Sequence, residues 1–212
     1  MKTFLKTFVS AILAGFCIGL GGTAFIKLKD ACPGGNVAGA ALFCIGLFCV
    51  ITRGYSLYTG AACYLFDDPK FKKIASLLTI WVGNFVGCIA IALIVRESNV
   101  DILSSAENLV SVKMEASYLM LFCSAILCNV CIYIAVDGMR RFKTTLSKYL
   151  ALVLGVMVFV VCGMEHSIAD MYFLAVSGAV FELVEESIIM LLVVSAGNLV
   201  GGSGFRLVEK LM

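Results

Sequence analysis

The amino-acid sequence predicts an all-α membrane protein with six transmembrane helices, arranged as an inverted repeat of three and three. Three observations support this fold class: the composition, the spacing of the apolar segments, and a motif that occurs once in each half. Of the 212 residues, 61% are apolar and 14% are charged, and the mean hydropathy is +1.04. Soluble domains contain about 45–50% apolar and about 25% charged residues. The composition therefore indicates a chain that lies largely within a lipid bilayer.

Six apolar segments are long enough to cross a bilayer, for which about 20 helical residues suffice. They cover approximately residues 4–26, 37–66, 74–95, 114–136, 149–181 and 187–207. The second and fifth are too long for one straight helix, and glycine and polar residues interrupt both. Unwound backbone is tolerated in a membrane only where it lines a cavity or is buried in protein. We therefore expect spans two and five to be broken helices, with a simple kink at Thr52–Gly60 as the alternative.

The placement of charged residues predicts the orientation. With a cytoplasmic N-terminus, eleven of the sixteen basic residues lie on the cytoplasmic side and four outside, while Arg53 falls within a span. Such a bias is typical of membrane proteins. We expect a multi-pass protein of the inner (cytoplasmic) membrane with both termini in the cytoplasm. The start of the chain also resembles a cleaved signal peptide, but its removal would leave five spans and no symmetry.

The ten cysteines do not form the pattern of a disulfide framework, because nine lie in apolar segments and only Cys32 lies in an outer loop. Within a span, cysteine acts as a small apolar residue. The pair Cys128 and Cys131 has no second pair, and we expect neither a metal nor a cofactor. The net charge of +2 is spread over loops that flank the membrane, which gives no indication of nucleic-acid binding.

An internal repeat relates the two halves of the chain. Gly-Asn-Phe-Val-Gly (83–87) in the third segment returns 114 residues later as Gly-Asn-Leu-Val-Gly (197–201). Gly54 and Gly163, in the two interrupted segments, are 109 residues apart. Halves of three spans insert in opposite orientations, a pattern typical of transport proteins with a site near the midplane. The expected organisation is a single domain, 1–212, with halves of about 1–105 and 106–212.

The two asparagines of these motifs allow two roles. The motif glycines suit close packing of helices. Buried Asn84 and Asn198 need hydrogen-bond partners, and lining a pore is an open alternative for both.

Three ionisable residues lie in the middle of the fifth segment: Glu165, His166 and Asp170, of which His166 is the only histidine in the chain. Each such group costs about 2.5–3.5 kcal/mol in a membrane span, so they usually mark a pathway or a site. We expect Asp170 to bond Arg53 or free backbone amides. Glu165 either bonds the backbone of the broken segment or keeps His166 positively charged.

Several motifs resemble the formate/nitrite transporter family over nearly the whole chain. They are Leu-Tyr-Thr-Gly (57–60), Cys-Asn-Val-Cys (128–131), Gly-Met-Glu-His-Ser-Ile-Ala-Asp-Met (163–171) and the ending Gly-Asn-Leu-Val-Gly-Gly (197–202). The resemblance implies an aquaporin-like protomer in a homopentamer, embedded in membrane lipid. Each protomer would have its own pore for small inorganic or one-carbon anions, or for their conjugate acids.

The resemblance also implies roles for individual residues. His166 corresponds to the central pore histidine, Thr59 to the threonine that hydrogen-bonds to it, and Lys113 to a vestibule lysine at the outer start of span four. Asn198 corresponds to a pore-lining asparagine. Two apolar constrictions are expected from Phe43, Leu47, Leu57, Tyr58, Ile132 and Phe159.

The chain departs from the family pattern at several points. The family usually has asparagine at the position of Asp170 and often phenylalanine at that of Tyr58, and Arg53 is not part of its pattern. The chain is also short for the family, and we expect it to lack the N-terminal cytoplasmic helix. These differences concern substrate choice and regulation.

A passing anion would meet apolar rings that exclude water and ions, with a histidine between them that exchanges protons near neutral pH. Protonating an acid with a pKa of about 3.9 at pH 7 costs about 4 kcal/mol, similar to the cost of about 3 kcal/mol for an intramembrane charge. Formate and nitrite are therefore feasible substrates. Hydrosulfide costs less to protonate at pH 7, because its acid titrates near neutral pH. The sequence thus predicts a channel or transporter for weak-acid anions and no enzyme.

A pore for water or glycerol is the alternative. It is disfavoured because paired Asn-Pro-Ala motifs are absent from the sequence. A membrane enzyme is disfavoured because the chain has no second histidine and no cofactor motif.

Overall fold

The computed structural model describes residues 2–67 and 71–212, and all regular secondary structure in these residues is helical. Short turns join most of the helices. The α-helices are α1 (Lys2–Lys29), α2 (Gly35–Arg53), α3 (Tyr58–Ala62), α4 (Phe71–Arg96), α5 (Leu103–Met114), α6 (Tyr118–Arg141), α7 (Thr145–Val161), α8 (Ser167–Ser177), α9 (Ala179–Glu182) and α10 (Val184–Glu209). A single 3₁₀ turn, Leu65–Asp67, follows α3.

Five of these helices, α1, α2, α4, α6 and α10, are long and apolar enough to cross a membrane. The helices α7 and α8 are apolar but shorter, with 17 and 11 residues. The predicted segment 37–66 is divided into α2 and α3, and the segment 149–181 into α7 and α8. The all-α class with several apolar helices is confirmed.

Both helix interruptions have the same backbone geometry. Gly54, directly after α2, has a φ of 67°, and Gly163, shortly after α7, has a φ of 64°. Glycine reaches this left-handed region without steric cost. Three residues further on, the chain is extended at Leu57 (φ −110°, ψ 130°) and at His166 (φ −112°, ψ 107°). Leu57 and His166 therefore occupy equivalent positions, each immediately before a short helix.

The motif glycines allow two pairs of helices to approach closely. A Cβ atom at Gly87 in α4 would lie 2.0 Å from the carbonyl oxygen of Ile12 in α1. A Cβ atom at Gly201 in α10 would lie 2.1 Å from the carbonyl oxygen of Ile126 in α6. Only glycine fits at either position, so the predicted role of these residues in close packing is confirmed.

The helix α5 corrects the predicted start of the fourth segment. The prediction began this segment at residue 114 and placed Lys113 at its outer end. In the structure α5 (Leu103–Met114) is a separate helix that contains Lys113, and α6 begins only at Tyr118. Ala106 and Val110 are the buried residues of α5, which packs against α8. The polar residues between them gave this helix too low a hydropathy to be recognised.

The short helix α8 lies at the centre of the molecule. Ten of its eleven residues are buried, although a lone apolar helix of this length would be exposed to lipid on most of its surface. It contacts α1, α4, α5 and α10. The residues at its start are therefore held on all sides by protein.

Candidate functional site

His166 forms the N-terminal cap of α8, and this fixes which ring nitrogen carries a proton. Its Nδ1 atom accepts the backbone N–H of Ala169 at 3.1 Å. In a neutral imidazole one nitrogen accepts and the other donates, so the neutral ring is protonated at Nε2. That atom lies 3.1 Å from Oγ1 of Thr59, which then accepts the hydrogen bond. The His166 side chain is buried, with 2% of the residue exposed.

Thr59 belongs to α3, the short helix after the other interruption. The residue is fully buried, and its carbonyl oxygen accepts a hydrogen bond from Nδ2 of Asn129 at 3.2 Å. The predicted partners Thr59 and His166 are thus brought together, 107 residues apart in sequence. The two interruptions meet at this contact.

Asn84 fixes the first interruption. Its Nδ2 atom donates to the carbonyl oxygens of Ala11, at 2.8 Å, and Ser56, at 2.9 Å. Its Oδ1 atom accepts the N–H of Tyr58 at 2.9 Å. Backbone groups that the broken helix leaves free are thereby satisfied.

Asn198 makes the same three hydrogen bonds in the second half. Nδ2 donates to the carbonyl oxygens of Ala125, at 2.8 Å, and Glu165, at 2.9 Å, and Oδ1 accepts the N–H of Ser167 at 2.9 Å. Asn198 was expected to line the pore, but it is fully buried and its amide contacts backbone. The structure gives it the role of a positioning residue.

One cavity of about 430 Å³ reaches the ring of His166. We call it the histidine cavity; its wall includes Phe43, Lys113, Phe159, Glu165, His166 and Asp170. The ring of Phe159 stacks on that of His166 with centroids 5.4 Å apart, and Phe43 meets Phe159 edge to face at 5.9 Å. Two of the predicted constriction residues therefore cover the histidine on this side.

Lys113, Glu165 and Asp170 form a buried ionic cluster in the wall of the histidine cavity. Nζ of Lys113 lies 2.5 Å from Oε2 of Glu165 and 3.0 Å from Oδ1 of Asp170. Their side chains are 11%, 8% and 1% exposed, respectively. The predicted pairing of Asp170 with Arg53 is wrong: Arg53 is exposed at the end of α2, and α5 brings Lys113 to Asp170 instead.

A second cavity, of about 400 Å³, is separate from the histidine cavity, and none of its lining residues borders both. We call it the arginine cavity; its wall includes Leu47, Gly54, Tyr55, Ser56, Leu57 and Arg140. Met120 lines the histidine cavity near the start of α6, whereas Arg140 lies near its end. Twenty helical residues span about 30 Å, so the two cavities open toward opposite ends of α6.

The other two predicted constriction residues lie outside both cavity walls. The hydroxyl of Tyr58 donates to the carbonyl oxygen of Ser195 at 3.0 Å, and Ile132 is buried on α6 with 1% exposed. They pack behind the residues that face the cavities.

Two residues that sequence reasoning did not single out contribute to this region. Asn129 donates through Nδ2 to the carbonyl oxygens of Thr59 and, at 2.6 Å, of Asn198. An amide in an apolar helix needs partners, and this signal was available within the Cys-Asn-Val-Cys motif. The guanidinium of Arg140 lies over the ring of Tyr64 at 4.1 Å. Its sequence position indicated only a cytoplasmic helix end.

Comparisons with known proteins identify the family of this chain. A family model described as formate/nitrite transporter matches residues 1–210. The formate channel FocA of Haemophilus influenzae is 26% identical over 191 residues, which cover 81% of this chain and 66% of that protein. The nitrite transporter NirC of Salmonella typhimurium is 31% identical over 186 residues, covering 82% of this chain and 68% of that protein. The chain thus spans about two thirds of the length of these relatives.

Solved structures give the same result for the fold. One described as an FNT family ion channel matches with a TM-score of 0.89 and 27% identity, covering 98% of this chain and 89% of that one. Another, described as a pentameric formate channel with formate bound, matches with a TM-score of 0.83 over 99% of this chain and 97% of that one. At 23% identity, the second likeness concerns the fold alone.

Proposed function

This chain belongs to the formate/nitrite transporter family, and we propose that it is a channel or transporter for small monovalent weak-acid anions: formate, nitrite or hydrosulfide. The contact between His166 and Thr59 is the observation that carries this proposal. It joins the two helix interruptions between two cavities, and it offers a hydrogen-bond donor to a passing anion.

We place the protein in the inner membrane with six spans, α2–α3 and α7–α8 being the broken ones and both termini being cytoplasmic. The spans form an inverted repeat with halves of about 1–105 and 106–212. Equivalent hydrogen bonds of Asn84 and Asn198, 114 residues apart, support the repeat. The excess of basic residues on one side supports the orientation.

The proposed pathway runs from the histidine cavity, on the outer side, to the arginine cavity, on the cytoplasmic side. Phe43 and Phe159 form the outer constriction, and Leu47 and Leu57 form the inner one, supported from behind by Tyr58 and Ile132. Narrow apolar rings of this kind exclude water and hydrated ions. Lys113 attracts anions at the outer entrance.

Arg140 serves as the cation of the cytoplasmic entrance. Its guanidinium borders the arginine cavity and forms no ion pair within residues 2–67 and 71–212. We propose that it attracts anions from the cytoplasm while it packs over the ring of Tyr64.

We assign His166 the role of a neutral donor that offers its Nε2–H group, between the constrictions, to the anion or to its conjugate acid. The Nε2–H group would turn from Thr59 to the anion and back, while the hydrogen bond at Nδ1 keeps the ring in place. In a water-poor site such a donor is worth more than in bulk water.

We propose that five copies assemble, as in the pentameric formate channel of similar fold. Each protomer then has its own pathway. Large apolar side chains exposed on α6 and α7, among them Leu127, Leu150 and Leu154, supply surface for lipid or for neighbouring subunits.

Uptake into vesicles that contain the purified full chain tests this proposal. Formate, nitrite and hydrosulfide are offered at several pH values, with empty vesicles as background and glycerol as a neutral solute. We expect at least one anion to enter above background and His166→Ala to reduce its rate. Absence of anion uptake by a correctly folded chain would contradict the proposal, and uptake of glycerol alone would favour the neutral-solute pore.

A further inference from the structure

The ionic cluster in the histidine cavity has an unbalanced charge. One ammonium, that of Lys113, faces the carboxyl groups of both Glu165 and Asp170. If both carboxyls were ionised, the cluster would hold a net negative charge in a place from which solvent is almost excluded. Such a charge is strongly disfavoured unless it is neutralised. It would also repel the anions that the cavity is proposed to admit.

The geometry identifies Asp170 as the group that is left short of partners. Its side chain is 1% exposed and borders the cavity, and its Oδ2 atom has no hydrogen-bond partner among the described residues. Glu165, in contrast, has the shorter contact with Lys113. A proton on Asp170 neutralises the cluster and turns one of its carboxyl oxygens into a hydrogen-bond donor in the wall of the cavity.

The adjacent histidine cannot supply this proton. Nδ1 of His166 already accepts the N–H of Ala169, so the neutral ring has a single proton, at Nε2. Loss of that proton would leave an imidazolate anion in the apolar interior. The acid that protonates a passing anion must therefore be a different group.

We propose that Asp170 is protonated at rest and donates its proton to the anion that enters the histidine cavity. This inference rests on the proposed function. The anion takes the proton from the carboxyl group, a neutral acid forms, and the cluster with Lys113 and Glu165 carries its unfavourable negative charge only until Asp170 is protonated again. The neutral acid passes the constrictions, and a proton from the outer water restores Asp170. One proton thus accompanies each anion, and transport is electroneutral.

The chemistry of the two acids sets the cost of this exchange. A carboxyl group that stays protonated at neutral pH holds its proton more tightly than a substrate acid with a pKa of about 3.9 does, so the transfer to the anion is uphill. It goes forward because apolar constrictions admit the neutral acid and exclude the anion.

Other titratable groups surround the carboxyl group of Asp170, and they come from several helices. Glu165 and His166 come from the same broken segment, and Cys88 of α4 donates its thiol to the carbonyl oxygen of Ile168. On the remaining neighbours, the titratable groups near the cluster are Lys113 of α5, Glu115 after α5, Cys128 of α6 and Glu186 of α10. Lys113 is the cation among them, so its charge sets the response of Asp170.

The test is uptake of formate or nitrite into vesicles at external pH values from 6 to 8, with the native chain and Asp170→Asn. After subtraction of empty vesicles, the native rate is expected to fall about tenfold or more across this range, because a required proton becomes scarce. In Asp170→Asn, which keeps the shape but has no proton to give, we expect a lower rate that changes less than about twofold. The control is Glu97→Gln, an exposed carboxyl group directly after α4 and outside both cavities, which should keep the native response.

Equal pH responses in the native chain and Asp170→Asn, with uptake retained, would overturn the inference and leave the proposed function intact. Absence of anion uptake by the folded native chain would instead contradict the proposed function. Infrared spectroscopy then tests Asp170 separately. At neutral pH the native protein should show the carbonyl band of a protonated carboxylic acid, and Asp170→Asn should lack it. A native protein without this band overturns the inference even if Asp170→Asn does not fold.

Discussion

The protonation state of His166 follows from the two groups that its ring contacts. A doubly protonated ring would place an Nδ1–H group against the N–H of Ala169, two donors facing each other at 3.1 Å. The cap of α8 would then be lost, and lost caps cost about 1 kcal/mol. Burial under Phe159 adds a further penalty for a charged ring. The ring is therefore a neutral donor toward Thr59 and toward an anion.

Replacement of Thr59 by valine tests the partner of this donor. The change removes the hydroxyl group and keeps the branched shape, so Nε2–H of His166 loses its acceptor. We expect a loss of about 1 kcal/mol of stability and anion uptake reduced by about fivefold, as this energy implies. Thermal unfolding in detergent and vesicle uptake measure the two effects. Thr79→Val is the control, because the Thr79 hydroxyl is half-buried and donates to the carbonyl oxygen of Ala75 in its own helix. Equal losses of stability and uptake in the two variants would contradict the expected role of Thr59.

At this scale, some contacts could be predicted from the sequence and others could not. The contact between His166 and Thr59 was expected because recognisable motifs contain both residues. The contact between Lys113 and Asp170 was missed, since it depends on α5, a helix too polar to be recognised by hydropathy. The buried role of Asn198 depends on which backbone groups a broken helix leaves free, and composition does not specify them.

At the scale of elements, the short helices α3 and α8 depend on their neighbours. Helices of five and eleven residues are too short to be stable alone. Asn84 and Asn198 hold their first turns, each from a long helix that packs closely on α1 or α6. The close approach of the long helices therefore determines where the broken segments lie.

Alanine substitutions in α10 separate close packing from helix propensity. Gly201→Ala would place a methyl group against the backbone of Ile126, and overpacking of this kind costs about 1–3 kcal/mol. Gly204→Ala, three residues later, meets open space and should gain up to about 1 kcal/mol from the better helix propensity of alanine. Thermal unfolding in detergent should shift in opposite directions for the two variants. A stabilised Gly201→Ala would contradict the predicted packing of α10 on α6.

At the scale of the whole molecule, a polar cluster joins three elements near the C-terminal ends of α6 and α10. Arg206 near the end of α10 donates through Nε to both carboxylate oxygens of Asp67 at 2.9 Å. Tyr64 lies between two guanidinium groups, with Arg140 at 4.1 Å and Arg206 at 4.5 Å from its ring. Its hydroxyl donates to Asp137 of α6. The cluster ties the end of the first broken span to α6 and α10.

The carboxyl group of Asp67 in this cluster makes the stability of the folded protein depend on pH. The hydrogen bond from Arg206 lowers the pKa of Asp67 from 3.8 to about 2. A carboxyl group whose pKa is lower in the folded state stabilises the protein at pH values above its pKa in the unfolded chain. This stabilisation is lost as the pH falls through about 2. Asp67→Asn should therefore unfold at a lower temperature than the native chain at pH 7, and the difference should shrink between pH 4 and pH 2. The effect is modest because the side chain is 25% exposed.

Unfolding midpoints of both proteins at several pH values provide the measurement. Glu97→Gln, at an exposed carboxyl group, serves as the control and should match the native chain throughout. A difference between the native chain and Asp67→Asn that stays constant down to pH 2 would contradict the assignment to this ion pair.

Leu57 and His166 stand at equivalent points of the two interruptions, with nearly equal backbone angles. If the halves descend from one duplicated ancestor, a single ancestral position has diverged into an apolar residue in one copy and a hydrogen-bonding one in the other. One copy then has no hydrogen-bonding side chain at this position, while both copies keep the same backbone conformation. Exchange of these two residues in the laboratory would place the imidazole after the first interruption, which the proposed inverted repeat turns in the opposite direction.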